Sequence, residues 1–235
     1  MAAWWPALAL CVTLLGGAAP VWAGWQEEYK AGLEDISAGR YGLGVDKACV
    51  AVLGQNDVPA RERAQAIVLL VNLLFKADLD DEAERLLTRA MADDDENRDA
   101  YFFCRGMLHE RAWRFDRAVA DYQAALGLNP ANAGALLGLG RLRLKCPEDA
   151  MRDRAQALEL ARRAQKAADN AGGRAMGHML EAQVQAQAQC YDQAVAAQQA
   201  AVAAAEEGLS PEQVERMKAY LAELRRLAAG GDRAD

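Results

Sequence analysis

The chain contains two histidines, His109 and His178, and five cysteines, Cys11, Cys49, Cys104, Cys146 and Cys190. These side chains could bind a metal, attack a substrate or exchange electrons, and each of those chemistries needs partners at short spacing. Neither histidine has a carboxylate or a cysteine at ligand spacing, so packing or exposure is the expected role of both. No Cys-x-x-Cys occurs, so neither a zinc site nor a redox pair is expected, and each cysteine can serve as a small buried apolar residue. The acidic run "ADDDEN" at 92–97 lacks the glycine and distal Glu of a calcium loop and reads as a solvated turn. "GLGVDK" follows no strand pattern and is no phosphate loop. No Gly-x-Ser-x-Gly elbow occurs. The expectation is a non-enzyme without catalytic residue, metal or cofactor.

Composition points to helix. The 235 residues carry 27 Lys and Arg against 34 Asp and Glu, a net charge of −7. Alanine is abundant, prolines number six, and β-branched runs are scarce, a mixture that favours helix almost throughout. The acidic balance and the lack of a basic run argue against a nucleic-acid surface. The first 23 residues, "MAAWWPALALCVTLLGGAAPVWA", hold no charged side chain and are broken by Gly16, Gly17 and Pro20. Val21 and Ala23 occupy the −3 and −1 places of a small-residue cleavage site. This pattern reads as a secretory signal peptide, with an uncleaved membrane anchor as the alternative. Cys11 would leave with it, giving an exported, periplasmic or secreted chain with four cysteines and no further membrane segment.

The remainder repeats. Small residues seven apart recur as Gly44 and Ala51, Ala83 and Ala90, Ala118 and Ala125, Ala157 and Ala164, and Ala194 and Ala201. The steps between successive pairs are 39, 35, 39 and 37 residues (44→83→118→157→194). Residues seven apart share one helix face, two turns along, and small ones let a neighbouring helix approach. A helix pair repeated at this period gives an all-α solenoid.

The stretch "YFFCRGMLHERAWRFDRAVADYQAALGLNP", residues 101–130, resembles a tetratricopeptide repeat. Phe102 stands at that pattern's Trp, Gly106 at its glycine and His109 at its Tyr. Ala118, Tyr122 and Ala125 match the second helix, and Pro130 the closing proline. Arg105 replaces the pattern's Leu. The next unit carries Leu136, Leu139 and Gly140, then extra residues in "KCPEDAMRDR" before Ala157; the last has Ala182 for the glycine and Tyr191 before Ala194. The resemblance implies a right-handed α-solenoid of stacked antiparallel helix pairs over 24–229. Its units span roughly 25–54, 60–92, 98–130, 133–169 and 173–207, with a capping helix at 210–229 and a disordered tail at 230–235. Gly106, Gly140, Ala118, Ala157 and Ala194 would let helices cross closely, Phe102 and Tyr122 would fill the space between units, and Pro130 would separate two helices. Ser210 and Pro211 suit the first turn of the cap.

In the family resembled, first helices of successive units line a concave groove. The register places Val68, Phe103, Leu137 and Met179 in one row there. Asn72, Met107, Arg141 and Gln183 fall one turn along, followed by Phe75, Glu110, Leu144 and Ala186. An apolar row beside a mixed polar row suits an amphipathic helix or an extended peptide. The resemblance implies a non-enzymatic adaptor whose groove holds a peptide or protein partner. The alternative is a structural, self-associating subunit of a bacterial envelope assembly. In this register Cys146 and Cys190 lie near turns of adjacent units and are a candidate disulfide.

Overall fold

The computed structural model describes residues 23–54 and 58–231. The expected signal segment therefore lies almost wholly outside the described residues. Among these residues the chain is all-α, with eleven α-helices and one 3-10 turn. It divides into two compact units, residues 1–59 and 60–235, where the repeat pattern alone suggested one continuous domain from residue 24.

The first unit is a helical hairpin of α1 (Ala23–Ser37) and α2 (Tyr41–Leu53). Its helices cross at two glycines. A methyl group on Gly32 would meet the Gly44 carbonyl oxygen at 2.7 Å, and one on Gly44 would meet the Gly32 carbonyl oxygen at 2.5 Å. The backbones touch there, so only glycine fits both positions. Asp35 is buried beside the crossing and accepts from Arg40 and Lys47, which holds its carboxyl below the usual carboxylate range.

The second unit contains α3 (Ala60–Lys76), α4 (Asp80–Asp93), α5 (Arg98–Arg111), α6 (Phe115–Leu128), α7 (Ala133–Lys145), α8 (Arg154–Ala167), α9 (Ala171–Gln187), α10 (Tyr191–Glu206) and α11 (Pro211–Gly231). Each helix packs on its neighbours in chain order. The first helices of successive hairpins also touch, α3 with α5, α5 with α7 and α7 with α9. No comparable contact joins one second helix to the next among the described residues. This unit is thus a solenoid-like stack that closes up along its first helices.

Local chemistry recurs along the chain. Gly39 (φ 80°), Asp78 (57°), Trp113 (60°) and Gln189 (61°) adopt the left-handed conformation just after a hairpin's first helix. In each turn the next amide donates five residues back: Arg40 to Asp35, Leu79 to Leu74, Arg114 to His109 and Cys190 to Gln185. This closing pattern satisfies the helix's last carbonyls. The α7–α8 hairpin departs from it. Cys146 has an ordinary φ of −54°, and the extra residues fold into the 3-10 turn Asp149–Met151 before Asp153 donates its amide to the Arg143 carbonyl at 2.7 Å. Between hairpins, Asn132 and Asn170 cap α7 and α9 through their side-chain oxygens. Asn132 also donates to Asp99 at the start of α5, and Asn97 donates to the Ala60 carbonyl at the start of α3.

All ten small residues that mark the period are buried. The helix expected as a cap is α11, opened by Ser210 and Gln213 in reciprocal hydrogen bonds. It runs through Gly231, beyond the expected start of a frayed tail; residues 232–235 lie outside the described part. Val214, Met217 and Leu221 of α11 bury their side chains in one cluster with Val202 and Ala205.

Candidate partner-binding face

The first helices place the two expected rows side by side. In the apolar row Val68, Phe103, Leu137 and Met179 are all half-buried; in the polar row Asn72 and Arg141 are exposed and Met107 and Gln183 half-buried. The apolar row also works in packing. The Phe103 ring lies 6.2 Å from the Tyr122 ring and covers Gly134 so closely that a methyl there would sit 2.8 Å from Phe103 Cζ. Leu137 packs on two buried clusters, and Met179 packs on the one shared by α10 and α11. In the third row Leu144 is buried and unavailable to a partner, while Phe75, Glu110 and Ala186 remain half-buried.

The centre of this face is an ion pair the sequence pattern did not reveal. Arg141 of α7 reaches back 31 residues and donates to both Glu110 oxygens, at 2.9 and 2.7 Å. The Tyr122 hydroxyl donates to the same carboxylate at 2.9 Å. The hydrogen bonds to Glu110 raise the Arg141 pKa. One turn along, Lys145 is held below its usual value, first by desolvation and then by the charge of Arg141. One hairpin earlier, Arg111 donates to the Phe75 carbonyl at 2.7 Å and pairs with Asp78 and Asp80, with its guanidinium 5.6 Å from the centre of the Phe75 ring. Arginine therefore links successive hairpins along this face.

Beneath it, Tyr122 fills a slot between α5 and α7. A methyl group on Gly106 would lie 2.6 Å from Tyr122 Cε1, and one on Gly138 would lie 2.5 Å from Tyr122 Cζ. Gly138, which the repeat pattern did not single out, is the second glycine against this ring. Gly140 instead makes room for Leu180 and Leu160. Ala118, Ala125, Ala157 and Ala194 are fully buried. Phe102 is half-buried beneath the Arg105 guanidinium, 5.3 Å from the ring centre. Pro130 lies between α6 and α7, separating two helices as expected, but is exposed rather than packed; its carbonyl accepts from Arg163 across the hairpin junction.

Three other readings change. His109 does have a carboxylate neighbour: its Nε2 lies 3.5 Å from the buried Asp121, which also holds Arg105 through two hydrogen bonds. Asp121 lies on the facing helix, twelve residues away, beyond the reach of a short-spacing search. Asp94 of the acidic run is buried rather than solvated. It accepts from Tyr101 at 2.6 Å and Asn97 at 2.7 Å and pairs with Arg63 at 3.1 Å. Cys146 and Cys190 are both free thiols. The inserted residues turn Cys146 inward, where its thiol contacts Met151 Sδ at 3.6 Å, whereas Cys190 is exposed and donates to the Ala188 carbonyl. Burial pushes the Cys104 thiol up to about 12, so it is inert as a nucleophile.

Among the described residues no three His, Cys, Asp or Glu side chains are placed to hold a metal ion. No described helix is long and apolar enough to cross a membrane. The chain matches no model of a known protein family, and a search of curated proteins finds no match.

Proposed function

We propose that this chain is a tetratricopeptide-type interaction module, exported by its N-terminal segment, that holds a peptide or protein partner against the first helices α3, α5, α7 and α9. The observation that carries the reading is the contiguity of those four helices. They touch in sequence and present a half-exposed apolar row, Val68, Phe103, Leu137 and Met179, beside the more polar row of Asn72, Met107, Arg141 and Gln183. Apolar side chains left partly open beside fixed polar groups suit a ligand helix or strand with apolar anchors. The buried thiols and the structural roles of His109 and Asp94 favour binding over catalysis.

Site-specific photo-crosslinking in an envelope fraction tests this. A photoreactive phenylalanine analogue at Met107 or Met179 should capture one discrete partner, and the same analogue at the exposed Ala120 or Ala196 of the second helices should not. Equal or stronger capture from the second helices would sink the first-helix assignment.

A further inference from the structure

Buried between α5 and α6 is a cluster of charges with no place in that reading. His109 is only 4% exposed and Asp121 only 5%. Asp121 already accepts two hydrogen bonds from Arg105, at 2.9 and 2.7 Å. His109 Nε2 lies 3.5 Å from Asp121 Oδ2, and His109 Nδ1 is buried without any hydrogen-bond partner. The charged groups facing the imidazole are Asp121 of α6, Glu84 of α4, Arg105 of α5 and Arg114 of the connecting turn. A neutral imidazole suits this arrangement, with Nε2–H toward Asp121 and Nδ1 as a bare lone pair. Protonation would add a buried N–H with no acceptor at Nδ1 and a second cation beside Arg105. Each change disfavours the closed hairpin.

We infer that the α5–α6 hairpin is an acid-sensitive element, in which protonation of His109 loosens the packing of α5 on α6. Desolvation is the largest influence on His109 and outweighs the opposing pull of Asp121 and Glu84, so its folded-state pKa lies below the ordinary value of 6.5. The stability gained from a neutral His109 is therefore complete above about pH 6.5, the value in the unfolded chain. It is lost as the pH falls from there toward the lower folded-state value. Helix α5 also carries Phe103, Met107 and Glu110, the last holding Arg141 of the next hairpin. Opening would thus release a ligand from the first helices. That consequence rests on the binding reading above; the opening itself does not.

Hydrogen exchange of the full chain at pH 7.5 and 5.5, corrected for the intrinsic rate, tests the opening without any ligand. Amides of α5 and α6 should lose protection at the lower pH, by up to about tenfold, the ceiling set over this pH interval by an ordinary imidazole in the open state. His109→Gln should remove most of this pH dependence, and His178→Gln should leave it intact. Unchanged protection in the native chain, or the same loss in His109→Gln, would overturn the inference. Should His109→Gln fail to fold, the native chain still decides. The chain has only two histidines, so their imidazole resonances can be assigned with His178→Gln. A His109 midpoint above 6.5 would show the Asp121 charge prevailing and would end the proposal.

Discussion

Tyr122 has no exposed surface and is gripped by two glycines from different helices. Adding a methyl at Gly138 drives it into the ring at 2.5 Å, and overpacking of this kind typically costs about 1–3 kcal/mol. Gly138→Ala should lower the urea midpoint accordingly. Tyr122→Leu should also destabilise by vacating part of the slot, and because it makes room for the methyl, the two losses should not add in the double variant. Strict additivity would show that the ring and the glycine do not share that space. Much of this slot was readable beforehand. Ala118 and Ala125 announce themselves by spacing, and Gly106 and Tyr122 by the resemblance to a tetratricopeptide repeat. Gly138 does not, because Gly140 lies two positions on, about 200° around the same helix, and only the helix's rotation against its neighbours decides which glycine meets the ring. Asp121 and Glu110 were illegible for a related reason. Their partners are brought together by packing between helices, and a charged residue looks the same in sequence whether it is solvated or buried and paired.

At the scale of the element, the turns carry the regularity that side chains only partly reveal. After four of the five first helices the left-handed position is filled by Gly39, Asp78, Trp113 and Gln189, yet only glycine adopts that conformation without strain. Gln189→Gly should therefore raise stability by up to about 1 kcal/mol, visible as a higher thermal midpoint. Cys146→Gly should give no such gain, because Cys146 sits at φ −54°. A rise for both would mean that the conformation at residue 189 is not the cause. Trp113 is the exception, being bulky, left-handed and 72% exposed, with its edge against Phe115 at 5.7 Å. Helix positions were legible because the small-residue spacing and the breakers agree with one another. The course of the insertion was not, because nothing local in "CPEDAMRDR" announces that Asp153 will close back on Arg143.

For the second unit as a whole, stability is built from neighbour to neighbour, as expected of a stack in which each hairpin touches only those beside it. The last hairpin depends on α11, whose Met217 carbonyl receives the buried Gln198 side chain at 3.0 Å. Ending the chain at Glu207 would expose Val202, Ala205 and the Gln198 amide. The shortened chain should bind an apolar dye and lose protection first in α9 and α10, while α5 and α6 keep theirs. Uniform loss along the unit would instead indicate a single cooperative block. The all-helical class and the order of hairpins followed from the 35–39-residue period. The boundary at residue 59 did not, since both sides of it carry the same small-residue signal.

The polar links between hairpins also have a mechanical meaning. Asn132 to Asp99, Arg111 to Asp78 and Arg141 to Glu110 each join one hairpin to the one before it. When the two ends of this unit are pulled apart, these links lie in series and carry the same tension, so they should yield one at a time, the weakest first. The unit should lengthen in steps, each releasing one hairpin of helix, and wind back in the same increments when the tension falls. A stack fastened in this way is a spring as well as a surface.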